Sequence, residues 1–497
     1  MVKASTVSAC LKSALAPGIA ILAVRCAGSA LPPPNPPAQT ARCVGTLGMD
    51  ARPITASFRA KLGLPPDLRG AVVTEVWPGS PAAAAAIRPN DVVEEIGTAR
   101  IGNDCDFDDA AFNRSCGAVR VVVWRSRTSI EASLVPTDQT AFLEKACQDG
   151  SADACFREGW LMWSRRGGPK VSRALEIFTA ACKDGSARAC AYEALQLMDE
   201  PDRGSDSLAA ARRSCELEDG GGCAHLAFLY ATGRFVAKDD RRATVLYGKA
   251  CDLGDAQGCY NAGLMADDGR GGPKDLARAV SKYQEACDLG SSTGCTNLGF
   301  LHEHGRGVRT DKSRAVALYQ RGCDGTSCQP SNLGGCVNVG RAYRDGIGVE
   351  KNEARAAEIF REACDRKVDP DDVHAAENGS RACSLLGALD IAGDGVPKDL
   401  AKGLELSVLG CERGDSFGCF NAASVYSAGA GVPADPAKAA EYLDLDCKAG
   451  DGEGCFDLGV AYEKGNGVAR DRRRANELFV RACQLGFADA CKKKAPR

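Results

Sequence analysis

The sequence predicts a mainly α fold: a right-handed α/α superhelical solenoid of about nine disulfide-stapled helix pairs, preceded by a small α+β domain. Three observations point there. Cysteines recur in pairs with seven residues between them, as in CDLGDAQGC at 251 to 259. The first cysteines of successive pairs follow at intervals of 33 to 47 residues, most often 36, a period that marks stacked helix pairs. Before residue 138 the punctuation changes to short apolar runs of strand length.

The chain opens with Lys3 and Lys12 around the start of an apolar run, ALAPGIAILAV at 14 to 24, followed by the small residues AGSA at 27 to 30. This reads as an export signal over 1–30. The run is too short to span a bilayer comfortably and no later stretch does better, so no stable membrane span is expected. Arg25 ahead of Cys26 argues against a lipoprotein signal. LPPPNPP at 31 to 37 makes residues 31–40 a Pro-rich linker. Twenty-six cysteines suit a compartment where disulfides persist, and removing Cys10 and Cys26 with the signal leaves an even 24. The expected location is therefore exported, periplasmic or secreted. With 497 residues and 44% apolar content the chain exceeds one ordinary domain. A formal net charge of -3 supplies no broad positive field, which excludes nucleic acid as an expected partner.

Residues 41–137 form the first expected domain. GAVVTEV (70 to 76), AVRVVVW (118 to 124) and SIEASLV (129 to 135) read as strands, and AAAAAI (82 to 87) as a short helix before PNDVVEEIG. The words LGM (47 to 49), VVTEVWPGSPA and IRPNDVVEEIG resemble a PDZ domain of the type attached to bacterial high-temperature-requirement proteases. The resemblance implies that the loop of Leu47, Gly48 and Met49 holds a peptide's terminal carboxylate, and that the peptide adds a strand beside a second helix. Here that helix is DFDDAAFNRS, with Phe107 and Ala111 toward the groove. Ala86 and Asn90 stand where that family usually has glycine. Cys105 and Cys116 flank the second helix and can bridge across it, whereas Cys43 has no evident partner.

Residues 138–497 form the solenoid, with DQTAFLEKAC (138 to 147) as a solitary capping helix at its start. Aligning the chain on itself pairs Cys147 with Cys155, Cys182 with Cys190, Cys215 with Cys223, Cys251 with Cys259, Cys287 with Cys295, Cys411 with Cys419, Cys447 with Cys455 and Cys483 with Cys491. Cys323 with Cys336 and Cys364 with Cys383 carry longer insertions, and Cys328 lies inside one of them without a partner. Helix A of each repeat follows the second cysteine, and four residues on the position is always small: Gly159, Ala194, Ala227, Gly263, Gly299, Gly340, Gly387, Ala423 and Gly459. Glycine inside a helix costs roughly 1 kcal/mol against alanine, so a close helix-helix approach is expected there. A G-x-G-V turn follows, as at 305 to 308 and 465 to 468, and then a capping Asp or Asn (Asp239, Asp275, Asp311, Asn352, Asp399, Asp435, Asp471) that starts helix B. CDLGDAQGC is thus a joint between helix B of one repeat and helix A of the next, and a short joint between antiparallel helices brings two cysteines within disulfide reach.

This combination of period, cysteine spacing, G-x-G-V turn and capped second helix resembles the Sel1-like repeats, relatives of the tetratricopeptide repeat, and in particular the Helicobacter cysteine-rich proteins, over residues 138 to 491. The repeats at 190 to 215 and 383 to 411 depart from it, the first lacking the turn and the second carrying Gly403 in place of alanine. Some cysteine-rich members of that family are described as penicillin-binding or as weak β-lactamases. The chain has no S-x-x-K, S-D-N or K-T-G block, so such an activity is implied by resemblance alone.

Other chemical readings fail on spacing. No cysteine pair has C-x2-C spacing and there are four histidines, so no metal and no cofactor is expected. His302 occupies the place of Tyr343, Tyr426 and Tyr462 in other repeats, which makes it a packing residue. In GDSF (414 to 417) the serine sits at a freely varied turn position. The G-x-G-V turns follow helices, unlike phosphate loops. The remaining binding candidates form a row two residues after each second cysteine: Arg157, Tyr192, His225, Asn261, Asn297, Asn338, Leu385, Asn421 and Asp457. In tetratricopeptide-like solenoids helix A lines the concave face, so this row is either a groove for a peptide backbone or a set of ties between adjacent helices. The expected function is a non-enzymatic exported scaffold that binds proteins or peptides, including a protein C-terminus. The alternatives are a β-lactam- or peptidoglycan-binding hydrolase, with cell-wall fragments as ligands, and a regulator of envelope proteases.

Overall fold

The computed structural model describes residues 45–54, 56–101, 107, 110–111, 118–164, 169–325, 331–368 and 372–493. The export signal, the Pro-rich linker, Cys10, Cys26, Cys43, Cys105, Cys116 and Cys328 lie outside the described residues.

The N-terminal part holds two antiparallel sheets built from β1 (Gly45–Thr46), β2 (Met49–Pro53), β3 (Ala71–Val76), β4 (Val92–Ile96), β5 (Ala99–Arg100), β6 (Val119–Arg125), β7 (Thr128–Leu134) and β8 (Thr137–Asp138). The main path runs β2-β3-β4-β6-β7, with β5 on β4, while β1 pairs with β8. Val121, Val122 and Val123 explain the centre of this sheet: β-branched side chains suit the pleat, and all three are buried. Ser126 and Arg127 take positive φ (52° and 70°) in the two-residue hairpin between β6 and β7, the backbone hand that strand twist requires. Helix α1 (Ala56–Leu62) and the short α2 (Pro81–Ala84) complete this part. Ser80 caps α2 by accepting from the Ala83 amide at 3.0 Å. Ala86 and Asn90 both have positive φ, 55° and 75°, a backbone conformation that favours glycine.

From residue 139 the chain is helical. Helix α3 (Gln139–Gln148) precedes nine A/B pairs: α4 (Ala152–Ser164) with α5 (Pro169–Lys183), α6 (Ala187–Leu197) with α7 (Gly204–Glu216), α8 (Gly220–Thr232) with α9 (Asp240–Asp252), α10 (Ala256–Asp268) with α11 (Leu276–Asp288), and α12 (Ser292–His304) with α13 (Lys312–Asp324). Next come α14 (Leu333–Asp345) with α15 (Glu353–Asp365), α16 (Val373–Ala392) with α17 (Leu400–Glu412), α18 (Ser416–Ala428) with α19 (Pro436–Ala449), and α20 (Gly452–Lys464) with α21 (Arg472–Gln484). A short α22 (Ala488–Lys492) closes the array. The result is a solenoid of stacked helix pairs.

Its joints are built by a few local devices. In the Cys251 to Cys259 joint, Gly254 turns the chain at φ 87° and Asp255 caps α10 through the Gly258 amide. Asp219, Ser291, Asn332, Asp372, Asp415 and Asp451 do the same for their A helices. All seven helix-B caps read from sequence accept the expected first-turn amide, at 2.9 to 3.0 Å. Ten disulfides close the ten joints, with Cα atoms 4.3 to 4.8 Å apart. Each eight-residue span contributes about 2.5 kcal/mol by restricting the unfolded chain in the loop-entropy account. At four joints a cation placed two residues before the first cysteine reaches back one repeat to a helix-B C-terminus. Arg213 bonds the carbonyl of Cys182, Lys249 that of Cys215, Arg321 that of Cys287 and Arg481 that of Cys447. Each such bond puts positive charge at the negative end of a helix dipole.

The small position in helix A has a more specific cause than a bare backbone approach. A side chain added at Gly159, Gly263, Gly299, Gly340 or Gly459 would collide with the ring of Phe178, Tyr283, Tyr319, Phe360 or Phe479 on helix B of the same repeat. These rings are buried, so glycine makes room for the largest apolar contribution of each repeat. The second glycine of the turn nests on the preceding B helix: a Cβ on Gly307 would strike the first residue of α11, Leu276.

Candidate functional site

The sequence-predicted groove residues are brought together, but in a closed space. Leu47, Met49, Phe107 and Ala111 are all 0% exposed. They share one core with Trp77 and with Leu143, Ala146 and Ala154 from α3 and α4. The Phe142 ring lies 6.0 Å from that of Trp77 and 3.4 Å from where a Cβ on Gly48 would stand. Sequence reading turns Phe107 and Ala111 toward a peptide groove; in the structure both side chains are buried in the core that the sheet shares with the first solenoid helices. The physical reason is length: α3 follows β8 directly, so its apolar face is delivered onto the sheet it has just left.

The polar side of the same contact is an ion cluster. Asp50 on β2 is 2% exposed. Its carboxylate accepts from Arg157 at 2.6 Å and from Arg188 at 2.9 and 3.1 Å. Arg188 also donates to the carbonyl of Ala51 at 3.1 Å. Arg52 donates to the carbonyl of Glu218 at 3.0 Å and sits 3.8 Å from Asp219, while Ser151 reaches Glu75 at 3.2 Å. Burial pushes the Asp50 carboxyl up, but the guanidiniums of Arg157 and Arg188 outweigh it and hold the group at about 2.

Along the predicted row the residues divide. Arg157 is buried against Asp50, and Leu385 is buried in the core. Tyr192 packs its ring 5.2 Å from Phe156 and 5.6 Å from Phe178. His225 is held neutral by burial, its pKa lowered to about 4. Asn297 sits close to Tyr260 and Tyr283, and Asn421 donates to the carbonyl of Ser384 at 3.4 Å, a tie between elements. Asn261, Asn338 and Asp457 remain half-buried, and Asn338 lines a small cleft with Glu303 and Arg341. Burial raises Asp457, with Glu453 and Asp451 adding to it.

Sequence reading did not single out Asp50, Arg188 or the helix-A caps. The caps were legible, since each Asp, Ser or Asn except Asp372 stands four residues before the second cysteine. The ion cluster was not, because its partners are 107 and 138 residues apart. Among the described residues, Cys251, Cys259 and Glu285 bring three potential metal-ligand atoms together, but the two sulfurs are bonded to each other. His302 is buried, as a packing residue would be, and no helix is long and apolar enough to cross a membrane among the described residues.

The Sel1 repeat family model matches seven segments: 221–255, 256–291, 292–327, 334–368, 380–415, 416–451 and 452–487. A search of curated proteins finds no match. Among solved structures, the chain is similar to a Sel1 repeat protein from Oxalobacter formigenes, with 20% identity over 67% of this chain and 92% of that one and a TM-score of 0.48. A protective antigen of uropathogenic Escherichia coli displaying an SLR fold shares 19% identity over 71% and 81%, with a TM-score of 0.41. Helicobacter pylori cysteine rich protein B shares 25% identity over 28% and 96%, with a TM-score of 0.22.

Proposed function

The chain belongs to the Sel1 repeat family, whose repeats generally act as scaffolds for protein-protein interaction, and from that premise we propose that it is an exported adaptor with two binding elements. One is the PDZ-like domain of residues 41–137, which takes a protein's C-terminal segment as an added strand. The other is the helix-A surface of the solenoid over 138–497, which takes an extended stretch of a second protein.

One observation carries this reading. At the first two repeats, helix-A residues already grip an extended strand: Arg157 and Arg188 hold Asp50 and the main-chain carbonyl of Ala51 on β2. The same surface continues through Asn261 and Asn338, half-buried polar groups with accessible edges. Ten disulfides support the exported location, since such bonds persist in oxidising compartments.

The test uses the intact oxidised chain as bait for envelope proteins, beside an Asn261→Arg/Asn338→Arg variant with the wild-type far-UV spectrum and melting point. A partner held on the row is lost from the variant. Retention of every partner removes the row from the proposal. Turnover of a chromogenic β-lactam by the same preparation would replace the adaptor reading with the hydrolase one.

A further inference from the structure

Strand β2 is the outer strand of the main sheet: it is hydrogen-bonded to β3 and stands at the end of the path β2-β3-β4-β6-β7. An outer strand presents main-chain groups that can pair with another chain, and proteins manage such edges by covering them. Here the cover comes from the solenoid. Arg188 bonds the Ala51 carbonyl, and Asp50, one residue earlier, is clamped by Arg157 and Arg188. Phe142 closes the adjoining Gly48 loop. A peptide adding to this edge would have to displace the arginine from that carbonyl and lift Phe142 off the loop.

We infer that the N-terminal domain's peptide edge is self-occupied, and that the Asp50, Arg157 and Arg188 cluster is the latch that a partner's C-terminal segment must open. This rests on the peptide-binding reading given above for that domain. The latch is charge-assisted and forked, the strong form of such contacts. Removing one partner from a buried ionic cluster leaves a charge uncompensated, so the contact opens as a unit. Acid is not the trigger. The Asp50 carboxyl, depressed to about 2, contributes its stability above the unfolded value near 4 and loses it only as pH falls through 2. Release therefore comes from competition by a ligand that brings its own carboxylate and strand. The apparent affinity of such a ligand is reduced by the fraction of molecules with the edge open.

The experiment compares the full oxidised chain with Arg188→Ala and Arg188→Lys by hydrogen exchange and by fluorescence anisotropy. The probe is a pool of labelled decapeptides with an apolar last residue, with its amidated counterpart as control. Arg188→Ala is expected to speed exchange at residues 49–53 at least tenfold, with 256–491 unchanged, and to tighten binding of the free-acid pool at least tenfold. Arg188→Lys keeps the charge but loses the fork, and falls between; it serves alone if the alanine variant fails to form the ten joint disulfides. Wild-type protection of 49–53 in both variants overturns the latch, as does equal affinity of wild type and variants. Faster exchange with no peptide bound by any form upholds the latch and overturns the peptide-binding reading instead.

Discussion

Asp446 occupies the place just before the first cysteine that Ala250, Ala286 and Ala482 fill in other repeats. It is 1% exposed, and neither carboxylate oxygen has a hydrogen-bond partner among the described residues. Burial first, then Asp451 and Glu453, push its pKa up to about 7. A folded value above the unfolded one near 4 means that the folded state holds a proton the unfolded state has lost. Stability therefore falls as pH rises from about 4 to about 7, and is flat above. Asp446→Ala, the residue of its sister repeats, is expected to add about 2 kcal/mol at pH 8 and to shrink the decline in melting temperature between pH 5 and 8, leaving the smaller part that Asp457 carries. A variant that keeps the full decline would place its source elsewhere. Nothing in the sequence around Asp446 marked it as buried except its register with those alanines.

The same register explains why the helical elements were legible and where they were not. Nine self-alignments average out local accidents, so caps, turns and small positions stood clear, whereas the N-terminal sheet offered one copy of each signal. The longer Cys364 to Cys383 span shows the limit: part of it extends α16 to 20 residues, because Asp372 caps the helix early. In the pairing of helix A with helix B, two effects of opposite sign compete at Gly340. Alanine would gain roughly 1 kcal/mol in helix propensity, but its methyl meets the Phe360 ring, and overpacking a filled core costs about 1 to 3 kcal/mol. The clash wins: Gly340→Ala is expected to lose about 1 kcal/mol in denaturant unfolding, and adding Phe360→Leu to recover part of that. A stabilised single variant would show that the ring yields more readily than its burial suggests.

Over the whole molecule, the sheet and the first repeat share one core while later repeats touch mainly their neighbours, so a disturbance at one end should not travel far. The periodic part of the fold was legible, as were strands β3, β6 and β7 from their apolar runs; the join between sheet and solenoid was not, because it depends on residues that no period links. The stapled joints also decide how the molecule answers a pulling force. In a 36-residue repeat such as the one from Cys251 to Cys287, the bond from Cys251 to Cys259 shorts out eight residues, so 28 can be drawn straight. That is about 95 Å of contour per repeat, against about 125 Å when the bonds are reduced. Single-molecule stretching should give evenly spaced ruptures of the shorter length, lengthening when reductant is added. Pulled from its two ends, such a chain behaves as a ratcheted cable: it yields one repeat at a time, and each repeat gives up a fixed, chemically set length.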